Sequence, residues 1–477
     1  MWVRFHVFVV LAFSLAGLVA LSGCSSTPGG NKGFGNGGNG NLAVTVSDPS
    51  TCGGTNGTYS HIYVTLSDVQ ISTNANAAAG DPSLVDLTPG LKSSPVQVDL
   101  LGAPNQCFLA KLASGLTLAS GNYAQVRVVL AADSTGPNIP GNHCGPAANC
   151  VILTGDLLNT PHPIQLGLET TQGIAIGPNQ IAGGSFDATA SQPQTLNLNF
   201  DACASIVALG NNQFRLRPVI FAGDAGSAAA SISGQLVDSA SLKAVPSGQF
   251  IVALEQKDSR LVDRVVMETV ADSQGNFTFC PVPAGSFEVV ASGLRTDTNA
   301  TYAPTAALGV SPATSLGQIP VTAVPSSPNT SAAVNGGVQM QGISNPPASA
   351  DMTISALQLV TSSGLGSLNL TIPFLQSQTS TITLPTQAGC APNTDCAVFN
   401  LVVPPANVFF GQFSPGGTTY SQNLGLVTYS VEGTAALSES GGAADCSPSF
   451  AAVPITNVNP DANVDLTNQP LAFTSCQ

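Results

Sequence analysis

Eleven cysteines, three histidines beyond the first 23 residues and a few aspartates near strand ends are the residues of this chain with chemistry to offer. A cysteine sulfur can be acylated, oxidised to a disulfide or used as a metal ligand. Cys24 stands apart, behind an apolar run, in Leu21-Ser22-Gly23-Cys24. Setting it aside leaves an even set, Cys52, Cys107, Cys144, Cys150, Cys203, Cys280, Cys390, Cys396, Cys446 and Cys476, which reads as structural disulfides in an exported chain. Cys144 with Cys150 and Cys390 with Cys396 are close enough to close small loops, each restraining the unfolded chain by about 2 kcal/mol. The other six pair in more than one way, with Cys446 to Cys476 the tidiest choice for the end of the chain. A zinc reading of the two Cys-x5-Cys spacings is disfavoured because only His61, His143 and His162 follow the leader. No metal and no cofactor are expected. Asp48, Asp68, Asp99 and Asp201 are candidate oxygen ligands for a cation if the fold gathers them. The plainer reading is that aspartate ends strands by bonding its own backbone.

A catalytic constellation is missing from the sequence. Acyl transfer needs a nucleophile beside a base, yet the histidines are scattered and His162 lies between Pro161 and Pro163. There is no Gly-x-Ser-x-Gly elbow, no His-Glu-x-x-His and no glycine-rich phosphate loop. No catalytic residue is assigned. An extracytoplasmic hydrolase with a carboxylate pair stays as a further alternative, because such pairs form in space and not in sequence.

Residues 7–21 are apolar except Ser14 and Gly17, and Arg4 is the only fixed charge before them. That run, about 15 residues, is shorter than the roughly 18 to 20 a membrane-crossing helix requires. Its ending, Leu-Ser-Gly-Cys, resembles the bacterial lipobox, and the resemblance implies cleavage before Cys24 and acylation of its sulfur. More than one acyl chain, at about 0.8 kcal/mol per buried methylene, makes the anchor stable. The partner so implied is the lipid bilayer, and resemblance to lipoprotein sorting in two-membrane bacteria implies, from Ser25 after the cysteine, the outer membrane. Residues 24–41 are written mostly in Ser, Gly and Asn and behave as a flexible tether.

Composition sets further bounds. Residues 1–23 carry one basic residue, Arg4, and no acidic one, so the chain from Cys24 onward holds 11 basic against 26 acidic residues. Nucleic acid is a poor partner for that sign. Charged residues make up 8% of the chain and hydrophobic ones 43%, enough for real cores under a surface of uncharged polar side chains.

The elements that must position these residues are strands. Leu42-Ala43-Val44-Thr45-Val46 alternates, as do Ile62, Val64 and Leu66; Val69 and Ile71 then resume out of phase, which predicts a β-bulge near Asp68. Further strands are expected at 96–101, 123–130, 196–200 and 214–220, and no window sustains a 3.6-residue period. The expected fold class is all-β, tandem antiparallel β-sandwiches behind a signal peptide and linker. Residues 41 to about 223 resemble the bacterial lipoprotein domain of unknown function 4382. The blocks that carry this are Val44-Thr45-Val46-Ser47-Asp48, His61-Ile62-Tyr63-Val64-Thr65-Leu66-Ser67-Asp68-Val69, Val98-Asp99-Leu100-Leu101, Gly121-Asn122-Tyr123-Ala124-Gln125-Val126-Arg127 and Asn199-Phe200-Asp201-Ala202-Cys203-Ala204-Ser205-Ile206-Val207. The family implies no activity.

Small residues at 223–230 mark a boundary, and a second unit, 231–324, carries Asp272-Ser273-Gln274-Gly275-Asn276-Phe277 and Pro283-Ala284-Gly285-Ser286-Phe287. These resemble a carboxypeptidase regulatory-like, transthyretin-type sandwich, which implies a non-catalytic module of a carbohydrate-binding-like fold. Its charged hairpin, Glu255, Lys257, Asp258, Arg260, Asp263, Arg264 and Glu268, reads as a solvated tip, with a docking surface as the alternative. Residues 331–477 form a last β-rich region, expected to be a self-contained sandwich.

The expected function is that of a lipid-anchored, non-catalytic envelope protein with a structural or interaction role, its partner an envelope protein or a polysaccharide. The alternative is carbohydrate binding through the second unit. Against it, the only tryptophan is Trp2, which leaves with the signal, so large aromatic sugar platforms are lost.

Overall fold

A computed structural model describes residues 39–47, 59–102, 107–189, 193–225, 230–245, 250–258, 260–295, 300–324, 331–341, 350–373, 381–384, 394–437, 446–447 and 450–476. The chain is built almost entirely of strands, joined by short 3-10 turns and one helical turn, Ala202–Ser205.

The first region is two sheets face to face. In one, strand Asn39–Ser47 runs parallel to Gln194–Phe200 and antiparallel to Ala110–Ala119, with Ile220–Asp224 flanking. In the other, the 14-residue strand Tyr59–Ser72 is the axis, pairing with Val85–Asp86, Val96–Asp99, Gln125–Leu130 and Cys150–Leu153. Ile62, Val64, Leu66, Val69 and Ile71 are fully buried against Val44, Val46, Leu196 and Leu198, each contributing about 2 kcal/mol of burial. They share one face because the register against Gln125–Leu130 shifts between Leu66 and Asp68, the expected bulge.

Two expected strands divide. Tyr123 ends a short strand, Gly121–Tyr123, that pairs with Phe186–Ala188, while Gln125–Leu130 belongs to the large sheet. The run 214–220 breaks into Gln213–Leu216 and Ile220–Asp224, which lie in different sheets. Pro218 has no N–H to give a ladder, and the neighbouring Arg217 and Val219 amides donate to the Ser205 carbonyl and hydroxyl.

The second region packs a three-stranded sheet, Asn276–Phe279, Ile232–Asp238 and Thr314–Val321, over the strands Phe250–Lys257, Val262–Val270, Phe287–Arg295 and Ala300–Val310. Its core is aromatic, with Phe250, Phe279 and Phe287 fully buried. At the tight turn, the Asp272 carboxylate accepts the amides of Gln274 and Asn276. Gly275 sits there at φ +74°, and a Cβ would come within 2.3 Å of the Leu236 carbonyl oxygen, so only glycine fits.

The C-terminal region is not self-contained, which corrects the expectation from its sequence. Val262 and Asp263 pair in parallel with Asn369 and Leu370, and Thr305 to Leu308 pair in parallel with Phe409 to Gln412. One eleven-stranded sheet therefore runs through both regions. Val290, Ala306 and Leu308 of the second region pack into the C-terminal core with Val334, Ile354, Leu370 and Phe399. A three-stranded sheet, Thr394–Val403, Ala332–Gln341 and Asn463–Phe473, covers that core.

Candidate binding face and charged seam

The outer face of strand Tyr59–Ser72 carries His61, Tyr63 and Thr65, since the alternate residues Ile62 and Val64 point into the core. Onto this face folds the loop 131–149, closed by the Cys144–Cys150 disulfide. Buried Asn149 takes the Thr65 amide on Oδ1 at 2.8 Å and gives its Nδ2–H to the Ala131 carbonyl at 2.9 Å. Thr65 Oγ1 donates to the Ala148 carbonyl at 2.6 Å, and Gln97 Nε2 donates to Asn142 Oδ1 and to the Ala148 carbonyl. These bonds satisfy a loop that would otherwise bury unpaired backbone groups.

The loop sets the exposed ring of His143 over Tyr63, stacked at 4.8 Å between centroids and 13° between planes. His61 stacks on Tyr63 at 5.4 Å, also at 13°, and its Nδ1 bonds the Asp99 carboxylate at 2.7 Å. Two histidines that lie 82 positions apart in sequence thus share one column of rings. Burial and the Asp99 carboxylate raise the Tyr63 phenol above its usual range. The neighbouring Ser60 hydroxyl is turned to the Ile152 and Leu153 carbonyls. Ring faces, an imidazole edge held by a carboxylate and exposed polar groups can contact a ligand by stacking and hydrogen bonding. No spacing rule links Tyr63 to His143 across 80 positions; the Cys144–Cys150 spacing was the available hint.

The aspartates proposed as cation ligands are not gathered. Asp99 accepts His61 and the amides of Ile62 and Leu101. Asp68 is buried and takes Gln70, Thr88 and Lys92, the last at 3.2 Å, while burial and the neighbouring Asp86 raise its pKa. Asp201 caps the helical turn by accepting the Ser205 amide on its carbonyl. Asp48 lies outside the described residues. Among the described residues no group of three His, Cys, Asp or Glu side chains is placed to hold a metal ion. Arg127, from the motif at 121–127, is buried and ties two loops by donating to the Gln172 and Ala77 carbonyls; burial lowers its pKa.

The cysteines divide in the same way. Cys107 bonds Cys280, joining the first region to the second across 173 positions, a pairing that spacing did not suggest. Cys396 is disulfide-bonded, and its expected partner Cys390 lies outside the described residues, as do Cys24 and Cys52. Backbone register sets Cys446 opposite Cys476. Cys203 lies in the turn Ala202–Ser205.

The charged hairpin is not a solvated tip, and this too corrects the reading from sequence. Asp258 is buried and accepts Arg264 Nε at 3.0 Å. Both Arg260 and Arg264 donate to buried Glu432 of strand Thr428–Leu437, Arg260 at 2.9 Å. Two arginines and two carboxylates therefore form a balanced quartet between the second and C-terminal regions. Beside it, Glu255, Asp263 and Glu288 are buried with mostly like charge. Burial and Asp263 push Glu255 well above the carboxylate range, burial pushes Asp263 up to about 6, and burial with Asp263 pushes Glu288 up to about 8. The signal for this burial was present, because dense charge is rare in a chain so poor in charge.

Residues 39–218 match a family model described as Domain of unknown function (DUF4382). No curated protein matches the chain. Among solved structures, a DUF3823 family protein from Bacteroides uniformis is 11% identical over 49% of this chain and 100% of its own, at TM-score 0.16. The streptococcal ancillary pilin is 11% identical over 91% of this chain and 99% of its own, at TM-score 0.16. The major pilin subunit of Bacillus cereus is 10% identical over 60% and 70%, at TM-score 0.17. Overlaps this loose carry no argument about function.

Proposed function

We propose that this protein is a lipid-anchored component of the bacterial cell envelope, non-catalytic, that holds a structural or binding surface away from the outer membrane on the tether at 24–41. The observation that carries this reading is the Cys107–Cys280 disulfide, with Cys144–Cys150 as a second. Such bonds persist in oxidising compartments and not in a reducing cytoplasm, and one of them fastens separate regions together. Cys24 is the anchor. Cys24→Ala should move the protein from the membrane fraction to the soluble fraction, and unchanged partition would refute the anchor. A pull-down from envelope extracts then identifies the class of partner, and recovery of nothing from extract or glycan array would refute a binding role.

A second reading, polysaccharide binding, is favoured by the His61–Tyr63–His143 column, which supplies ring faces where no tryptophan remains. This differs from the second unit as the binding module, and its test is loss of glycan retention in His143→Ala.

A further inference from the structure

Two clusters of charge lie at the seam where the second region meets the C-terminal strands, and they differ in balance. The quartet Asp258, Arg260, Arg264 and Glu432 has equal charge of each sign. The neighbouring cluster does not. Glu255 stands opposite Glu288 in the register of Phe250–Lys257 with Phe287–Arg295, and Asp263 stands opposite Lys257 in the register with Val262–Val270. Glu255 and Asp263 are fully buried, Glu255 Oε1 lacks a hydrogen-bond partner, and the Asp263 carboxylate meets the Glu288 carboxyl and the Asn369 amide. The C-terminal strand Gly366–Thr371 closes over them: Thr371 N donates to Glu255 Oε2 at 3.0 Å, and Thr371 Oγ1 donates to the Asp263 carbonyl at 2.7 Å.

The facing groups can be named strand by strand. Phe250–Lys257 brings Glu255 and the exposed Lys257; the turn after it brings Asp258; Val262–Val270 brings Asp263, Arg264 and Glu268; Phe287–Arg295 brings Glu288. Arg264 is committed to Asp258 and Glu432. Gly366–Thr371 brings no charge, and the one titratable side chain of Ala300–Val310, Tyr302, is turned to Asp238. Asp258 apart, four carboxyls, Glu255, Asp263, Glu268 and Glu288, thus face one lysine, and Glu268 also lies against the charge of Asp201. Buried carboxylates with so little compensation cost more than protonated ones.

We propose that this seam is a proton latch: Glu255, Asp263 and Glu288 hold protons when the C-terminal strands are docked, and the seam loosens as the medium turns alkaline. The direction follows from linkage. A carboxyl raised on folding keeps its full contribution below its ordinary range and loses it as pH rises to the folded value. For Glu288 that window runs from 4.5 to about 8, and for Asp263 from 3.8 to about 6. The arginine–carboxylate quartet ties the same seam beside this cluster. The protein therefore senses the acidity of its compartment at the joint between two of its regions, whatever its partner.

The test is hydrogen exchange of the Thr371 amide in the full chain in mild detergent, from about pH 5.5 to about 8.5, corrected for the intrinsic rise with pH. The seam's opening constant is expected to rise about tenfold per pH unit for each proton held. The Leu100 amide, bonded to the Ile62 carbonyl in the first region, is the internal control and should keep its protection. Glu288→Gln should remove about one proton's worth of slope, and Glu255→Gln should do the same should the first variant fail to fold. A flat wild-type response, or a slope untouched by either variant that folds, overturns the latch.

Discussion

Replacing Cys107 and Cys280 together by serine removes a cross-link that spans 173 positions. On the loop-entropy model, a closed loop of that length restrains the unfolded chain by about 5 kcal/mol at 25 °C. The Cys144–Cys150 bond spans 6 positions, and the same expression gives about 2 kcal/mol. The two double variants should therefore differ by roughly 3 kcal/mol in urea unfolding, a gap of more than a hundredfold in the unfolding constant. The contacts next to the long bridge do not compensate for its loss, since Val282 N–Ala230 O at 2.9 Å and Ala284 N–Asp224 O at 3.3 Å are single backbone bonds, each worth about 1 kcal/mol net. The assay is urea unfolding of both double variants and the wild type, followed by far-UV circular dichroism. Equal losses from the two pairs would refute the chain-entropy argument, and a larger loss from the short pair would invert it.

Other outcomes follow from polar groups held out of water. Glu432→Ala should destabilise the chain by about 3 kcal/mol, because it leaves Arg260 and Arg264 crowded at the seam without their shared carboxylate; thermal unfolding checks this, and a loss under about 1 kcal/mol would show the quartet to be solvated after all. Asn149→Ala should cost about 2 kcal/mol by stranding the Thr65 amide and the Ala131 carbonyl. Proteolysis of the 131–149 loop should quicken in that variant, and unchanged cleavage would show the loop to be held by its disulfide alone.

What could be read in advance was local. The phase change between Leu66 and Val69 announced a bulge because side chains alternate strictly along a strand, and Cys144 and Cys150 announced a loop because they are six apart. The Cys107–Cys280 bond and the meeting of Arg264 with Glu432 escaped because neither has a periodicity: each joins positions more than 160 apart. The charged hairpin reads as a solvated tip for the same reason, its partner Glu432 lying far along the chain. Strands such as Ala300–Val310 and Ala332–Gln341 were passed over because alanine, glycine and proline weaken the strand signature. Their places are set by neighbours on both sides. The column of His61, Tyr63 and His143 depends on a loop conformation fixed by Asn149, and no residue type foretells that.

The sheet shared by the second and C-terminal regions has a consequence for how the chain can be divided. A cut between residues 324 and 331 follows the composition, but it would leave Val262–Val270 as an open border where Val262 and Asp263 had backbone partners, and would uncover Val290, Ala306 and Leu308. An unpaired strand beside newly wetted apolar side chains is a template for pairing with another copy. Half-molecules made at that boundary would aggregate, so the last two regions have to be expressed as one piece.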